Sequence, residues 1–351
     1  QIYTLDEGRA NPAVSLYVTV DEATLAITAS ETRLERVPVT VNLRHDQLDH
    51  IVTEQWLNDA SIQHEDTPQR LLELREQLSF LYKLAKQLKA GREQVRGKPE
   101  TFNRPDYNFR LEGNNKAEPQ GSETVRISTR QRGAPLDLIV AEAAIVANSH
   151  WGQMLAEHGV PGIYRSQASL APGIKVRMGT KALPHAGIGV KSYAWATSPL
   201  RRYVDLVNQW QIIACARHGK TAALAAPFKP KDAELFSIIS SFDATYGAYN
   251  GYQAGMERFW TLKYLQQNAI TELDATVIKE GMHGGFLVRA DSLPLVLPVL
   301  GAQGLARGAR VRVKLGEIDE ITLDVNGTLL ARLDDPADQS DDGPVDEDEE
   351  E

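Results

Sequence analysis

Two adjacent arginines, Arg201 and Arg202, follow Thr197-Ser198-Pro199 in the stretch YAWATSPLRRYVDLVNQW, which runs from Tyr193 to Trp210. Ser198 can cap a helix, and Pro199 suits the first helical position because its missing N–H costs nothing there. Leu200, Val204 and Val207 continue the pattern, which predicts a helix with both arginines in its first turn. Cations at that end oppose the helix dipole and are mildly unfavourable. Two chemistries resolve the mismatch. Either a phosphate occupies the helix start, where free N–H groups and guanidinium forks converge, or Arg201 pairs with Asp205 one turn on as a surface salt bridge. A second charged position is Glu142, inside LDLIVAEAAIVANSHWGQML at 136–155, a helix that is apolar on most sides and expected to be buried. A carboxylate there is costly unless paired, hydrogen-bonded or bound to metal. Asn148 shares that helix.

The elements that would position these groups follow from hydrophobic period. Residues 13–41 alternate apolar and polar and read as two or three strands, and residues 46–58 as a short helix. After Asp66-Thr67-Pro68, the recurrence of Leu71, Leu74, Leu78, Leu81, Ala85 and Leu88 marks a long amphipathic helix to about residue 96. The segment 99–127 around YNFRLEG reads as a hairpin with a loop at 113–122. Residues 231–268 read as one or two helices loosened by Gly247, Gly251 and Gly255. From Thr271 the period becomes two, giving about five short strands with Gly-rich turns, the pattern of a small OB-type barrel. The sequence has no zinc-ligand spacing, phosphate loop, nucleophile elbow or internal repeat.

With 351 residues, two or three domains are expected. No apolar run approaches a membrane span, and the N-terminus lacks the features of an export signal. The lone Cys215 excludes an internal disulfide framework and a cysteine-built zinc site, which fits a reducing cytoplasm. Residue 1 is Gln, which points to a processed or truncated product. The formal charge of −9 is misleading, because residues 334–351 form an acidic run that reads as a solvated, disordered tail. Of the 47 acidic residues 11 lie in that run, leaving 36 against 38 basic, a balance compatible with a polyanionic partner.

Extended backwards, the opening stretch becomes LPHAGIGVKSYAWATSPLRRYVDLVNQW, which resembles the signature of the ribonuclease II family: Pro-His-x-Gly-x-Gly, then Tyr-Ala, Thr-Ser-Pro, and an arginine opening a helix. FNRPDYNFRL at 102–111 and EAAIVAN at 142–148 are similar to further family segments and stand in the family order. The resemblance covers most of residues 40–333. It implies an α+β fold, with an RNB-type catalytic domain of sheet core and long helices over 1–268 and a five-stranded OB RNA-binding barrel over 269–333. It further implies a processive exoribonuclease that hydrolyses single-stranded RNA from the 3′ end to nucleoside 5′-monophosphates, using Mg²⁺ or Mn²⁺.

The same resemblance assigns roles. Arg201 would neutralise charge on the scissile phosphate, and Glu142 would border the site. His45 stands where the family has a Tyr, and either orients a phosphate or water or is a surface histidine. RNA contacts would come from Arg202, Tyr193, Phe102, Tyr107, Arg165 and Ser198; Phe102 and Tyr107 either stack on bases or are core aromatics. Two departures stand out. The family's aspartate cluster lies N-terminal to all these segments, and Asp6 and Asp21 lack its spacing. No residue here is therefore assigned as a metal ligand, and the main ligands are expected upstream, in an N-terminal segment of the same gene product. The alternative is a non-catalytic RNA-binding protein of the same fold. The segment between Tyr164-Arg165 and His185 is also short, about twenty residues. The implied partner is single-stranded RNA, without membrane, in the cytoplasm.

Overall fold

The alternation in residues 13–41 folds as one hairpin, β1 (Ala10–Val20) antiparallel to β2 (Ile27–Pro38), with Val14 opposite Leu34 and Leu16 opposite Thr32. The computed structural model describes residues 3–62, 64–65, 67–100, 105–113, 123–130, 133–171, 173–280, 285–300 and 304–334, with backbone only at 45, 46 and 280. The expected acidic tail therefore falls outside the described residues apart from Asp334. Two short helices follow the hairpin, α1 (His45–Leu48) and α2 (Glu54–Asn58). The Thr53 hydroxyl caps α2 by accepting from the Trp56 N–H. The leucine recurrence becomes α3 (Gln69–Arg96), which stops at Gly97 in the left-handed conformation, φ 80°. Its inner face buries Leu71, Leu78 and Tyr82 against Trp56 and Leu57.

The chain then forms a second hairpin, β3 (Asp106–Glu112) with β4 (Thr124–Arg130), and enters α4 (Pro135–Glu157). A short pair, β5 (Tyr164–Ser166) and β6 (Arg177–Gly179), precedes α5 (Tyr203–His218), the single turn α6 (Ala222–Ala225) and the 35-residue α7 (Ala233–Gln267). Five strands complete the fold: β7 (Glu272–Glu280), β8 (Phe286–Ala290), β9 (Val296–Leu300), β10 (Arg310–Asp319) and β11 (Asp324–Arg332).

Two compact units result, residues 1–102 with 133–245 and residues 103–132 with 246–351. In the first, Trp151, Leu155 and Ile212 join α4 to α5, and Val14 and Leu16 of β1 pack onto the same cluster. The apolar face of α4 is only partly used. Glu142, Asn148 and Trp151 are buried, whereas Val140 is 64% exposed, so the helix is not covered all round as its composition predicts. In the second unit β10, β11, β9, β8 and β7 close a barrel, with β9 and β11 parallel and every other pairing antiparallel. This is the OB arrangement that the period of two predicts. The division differs from a boundary at 268, because the β3–β4 hairpin belongs with the barrel. Ile127 packs on the barrel core, and the Gln267 side chain bonds the Val125 N–H and the Glu123 carbonyl.

Glycine positions separate strain from mere openness. Gly189 has φ +77°, and a Cβ there would collide with the backbone carbonyl of Arg92, whereas Gly247 within α7 has open space around it. Gly189→Ala should lower unfolding free energy by about 2 kcal/mol or more. Gly247→Ala should raise it by up to about 1 kcal/mol. Chemical denaturation of both variants checks the contrast.

Candidate functional site

The Thr-Ser-Pro-Arg-Arg stretch is held from two sides. Asn148 of α4 accepts the Ala196 N–H at 2.9 Å through Oδ1, while its Nδ2 donates to the Tyr193 hydroxyl at 3.3 Å and the Thr197 hydroxyl at 3.4 Å. From α5, Asn208 donates to the Trp195 carbonyl at 2.8 Å, and Gln209 to the Ala196 carbonyl at 2.8 Å. Every one of these partners is a backbone group or hydroxyl of residues 193–197. The segment is thus bonded into place before the arginines begin.

Helix α5 starts at Tyr203, later than the Pro199 signal predicts. Residues 198–201 instead close a turn on the Ser198 carbonyl, which accepts from the Arg201 N–H at 3.2 Å and the Arg202 N–H at 3.0 Å. Arg202 occupies the cap position with extended backbone, φ −127° and ψ 118°. The cause is Asp205 in the first helical turn, fully buried, where a carboxylate suits the dipole. Its Oδ1 accepts the Ser198 N–H at 2.8 Å, and both its oxygens take the Arg202 fork, at 2.7 and 2.8 Å. Arg202 also lies over the Trp195 ring, 3.9 Å from the centroid, as does Arg165 at 4.0 Å. Arg201 remains exposed, and its side chain makes no ion pair or hydrogen bond among the described residues. The salt bridge with Asp205 belongs to Arg202, not Arg201, and is buried rather than on the surface.

Glu142 has its carboxylate taken up as well. Arg92 of α3 donates from Nε to Glu142 Oε2 at 3.0 Å and from Nη2 to Oε1, and the same side chain reaches Glu100 at 3.1 Å and the Ile188 carbonyl at 2.7 Å. Arg96 adds a bond to the Gly187 carbonyl at 2.8 Å. The Pro-His-x-Gly-x-Gly turn is therefore docked on the end of α3, and Gly189 is glycine because it lies against that backbone. Within the turn, the His185 Nδ1 accepts the Ile188 N–H at 3.3 Å, and its ring meets Tyr193 edge-on at 5.9 Å. Burial, assisted by the Arg165 charge, pushes the His185 pKa down to about 4, so it is neutral at physiological pH. Burial holds the Tyr193 phenol above its ordinary range.

Of the residues singled out from sequence, the structure gathers Tyr193, Ser198, Arg201, Arg202 and Arg165 around one turn. Arg202 is corrected from RNA contact to internal brace, since its guanidinium is spent on Asp205 and Trp195. Tyr193 is 9% exposed and buried in the platform. Glu142 lines a cavity of about 330 Å³ with Leu16, Val18, Leu88 and Val190, and Arg201 is not part of its lining. Tyr107 is half-buried opposite Thr129 in the other unit. Phe102 and the His45 side chain lie outside the described residues. Sequence reasoning missed Arg92 and Trp195 as partners that decide the geometry, and named Asp205 only as a partner of Arg201 rather than of Arg202. Among the described residues no group of three or more His, Cys, Asp or Glu is placed to hold a metal ion. The described residues do not fit the divalent metals that the resemblance implies.

The model of the RNB domain family matches residues 1–175 and 171–218, over half the chain. The chain belongs to the RNB-domain ribonuclease family. The two parts of the match meet inside the segment that sequence reading finds shortened. An uncharacterised ribonuclease of Synechocystis is 29% identical to this RNB chain over 52% of its length, and the mitochondrial exoribonuclease II of Saccharomyces cerevisiae 26% over 45%. The matches span only 30% and 19% of those relatives. Among solved structures, the apo form of Mycoplasma genitalium RNase R has the same fold, with TM-score 0.70 at 14% identity over 94% of this chain and 59% of that one. Yeast Ssd1, a pseudonuclease, aligns with TM-score 0.53 at 14% identity over 90% of this chain and 43% of that one.

Adjacent arginines should behave oppositely. Arg202→Ala strands a buried carboxylate and should cost about 3–5 kcal/mol of stability, whereas Arg201→Ala should stay within about 0.5 kcal/mol; urea unfolding of each variant decides. His185 supplies a pH signature. Because its folded pKa lies below the unfolded value of 6.5, its contribution is intact above pH 6.5 and is lost as pH falls toward 4, at up to about 1.4 kcal/mol per pH unit. The stability gap between the parent and His185→Gln should accordingly narrow on acidification through that window.

Proposed function

We propose that this chain is the RNA-holding part of an exoribonuclease that degrades single-stranded RNA from the 3′ end to nucleoside 5′-monophosphates. The observation that carries the reading is Arg201, an exposed cation without an internal partner, on a turn fixed by Asn148, Asp205 and Asn208 ahead of a helix N-terminus. Such a cation lowers the energy of a phosphodiester held there, and preorganisation spares the cost of reorienting it. The barrel supports the same partner, with a cavity of about 440 Å³ lined by Lys279, Arg307 and Phe286 among others. Mycoplasma genitalium RNase R, which shares the fold, has been captured with ribose-methylated single-stranded RNA and with double-stranded RNA.

No chemical step is assigned to a metal on these residues. The two buried carboxylates on the helices that carry the site are neutralised internally, Glu142 by Arg92 and Asp205 by Arg202. Divalent ions need several oxygen ligands, and we infer that residues outside this sequence supply them. The same two ion pairs favour the second reading, a non-catalytic RNA-binding protein. On either reading Arg201 makes the phosphate contact, and the difference lies in whether hydrolysis accompanies binding once the missing ligands are present.

With 5′-labelled single-stranded RNA and Mg²⁺, this chain alone should bind with affinity that falls steeply with salt and should release no nucleotides. The complete gene product should shorten the RNA from its 3′ end and stop when EDTA is added. Endonucleolytic fragments or cleavage indifferent to EDTA would refute the exonuclease reading. Binding without cleavage by the complete product would establish the non-catalytic one.

A further inference from the structure

Trp195 lies within the segment that the double arginine follows, yet no part of the proposed clamp assigns it a task. Its position is fixed on both sides, through its own carbonyl by Asn208 and through the next N–H by Asn148. Two guanidinium groups lie against its ring, Arg165 at 4.0 Å and Arg202 at 3.9 Å. Contacts of this kind stabilise a cation without neutralising it, unlike a carboxylate. Bringing two cations to one ring is electrostatically costly. Core packing alone would be served by an aliphatic side chain without that cost.

The arrangement has a consequence for the neighbouring residue. Arg202 is gripped between the Trp195 ring and Asp205, so the backbone at 202 cannot rotate to exchange the two arginines. Arg201 is left on the outer side of the turn. The Trp195 ring, taken up by guanidinium groups, is not a stacking platform for bases.

We propose that Trp195 is a positioning residue for phosphate recognition: by pinning Arg202 against Asp205, with Arg165 on the same ring, it presents Arg201 outward for an RNA phosphodiester. This rests on the reading of Arg201 as the phosphate contact. The indole touches no RNA itself and acts through the arginines.

The test is a double-mutant cycle on the full chain, with RNA affinity measured on a labelled homopolymer and thermal unfolding followed in parallel. Trp195→Ala should weaken binding about tenfold, the loss of one cation–π grip, and Trp195→Phe should recover much of it. In an Arg201→Ala background, neither Trp195 substitution should reduce affinity further, because the positioned group is gone. Additive losses in the double variant, or full affinity in Trp195→Ala, overturn the inference while leaving the phosphate role of Arg201 standing. Should Trp195→Ala fail to fold, Trp195→Leu, which keeps apolar bulk without the aromatic face, carries the same comparison. Failure of the unsubstituted chain to bind RNA removes the Arg201 reading and this inference with it.

Discussion

The Asp205 carboxylate has no exposed surface, and burying a charge that deeply is tolerable only if its lone pairs are met. Asp205 meets this demand with one backbone N–H, from Ser198, and one bidentate guanidinium, from Arg202. Those three bonds determine much of the site. They bring the 198–201 turn back over the first turn of α5, delay the helix to Tyr203, and commit Arg202 to the interior. Asn148 and Asn208 then complete a frame in which the Ala196 N–H is met from α4 and the Trp195 carbonyl from α5. The frame is rigid for an energetic reason, since each bond that opens leaves a buried polar group unpaired.

The Arg92–Glu142 pair repeats the same constraint at the other end of α4. A buried carboxylate in an apolar helix needs a cation, and the guanidinium that serves it has donors to spare, which it gives to Ile188 and Glu100. One ion pair thereby ties α3, α4 and the glycine turn together. The electrostatic solution to folding also limits the chemistry. A carboxylate already holding a bidentate arginine is a poor ligand for a divalent cation, because binding the metal would expel a charge-assisted partner from a buried position. In this chain the carboxylate oxygens of Glu142 and of Asp205 are committed to arginines that stabilise the fold.

Periodic features were legible in the sequence, and long-range pairings were not. The leucine recurrence of α3 and the period of two in the barrel depend on faces that repeat every turn or every second residue, so a linear reading finds them. The need of Glu142 for a partner was equally readable from its apolar surroundings. The identity of that partner was not, since Arg92 lies 50 residues away and sits in a helix rich in other basic side chains. At α5 the Ser-Pro signal predicted a start that the tertiary demand of Asp205 overrode. Nothing local marks Trp195 as a ring that two arginines from different elements will approach. The β3–β4 hairpin was placed with the wrong unit for a similar reason: its allegiance is decided by Ile127 and by Gln267, far along the chain.

Two identical side chains in succession have thus acquired opposite duties through backbone geometry. An extended residue directs its side chain away from that of its neighbour, and the extended backbone of Arg202, φ −127°, follows a turn that ends at Arg201. Arg202 is directed inward to a buried carboxylate and an aromatic ring, while Arg201 faces water. The inward arginine offsets the cost of burying Asp205 and is therefore tied to folding. The outward one gains nothing from the interior, and at a helix N-terminus it is mildly unfavourable. Among the described residues no partner stabilises it there. The dipole mismatch that drew notice in the sequence is consequently confined to one side chain, Arg201, which lies exposed and makes no ion pair or hydrogen bond among the described residues.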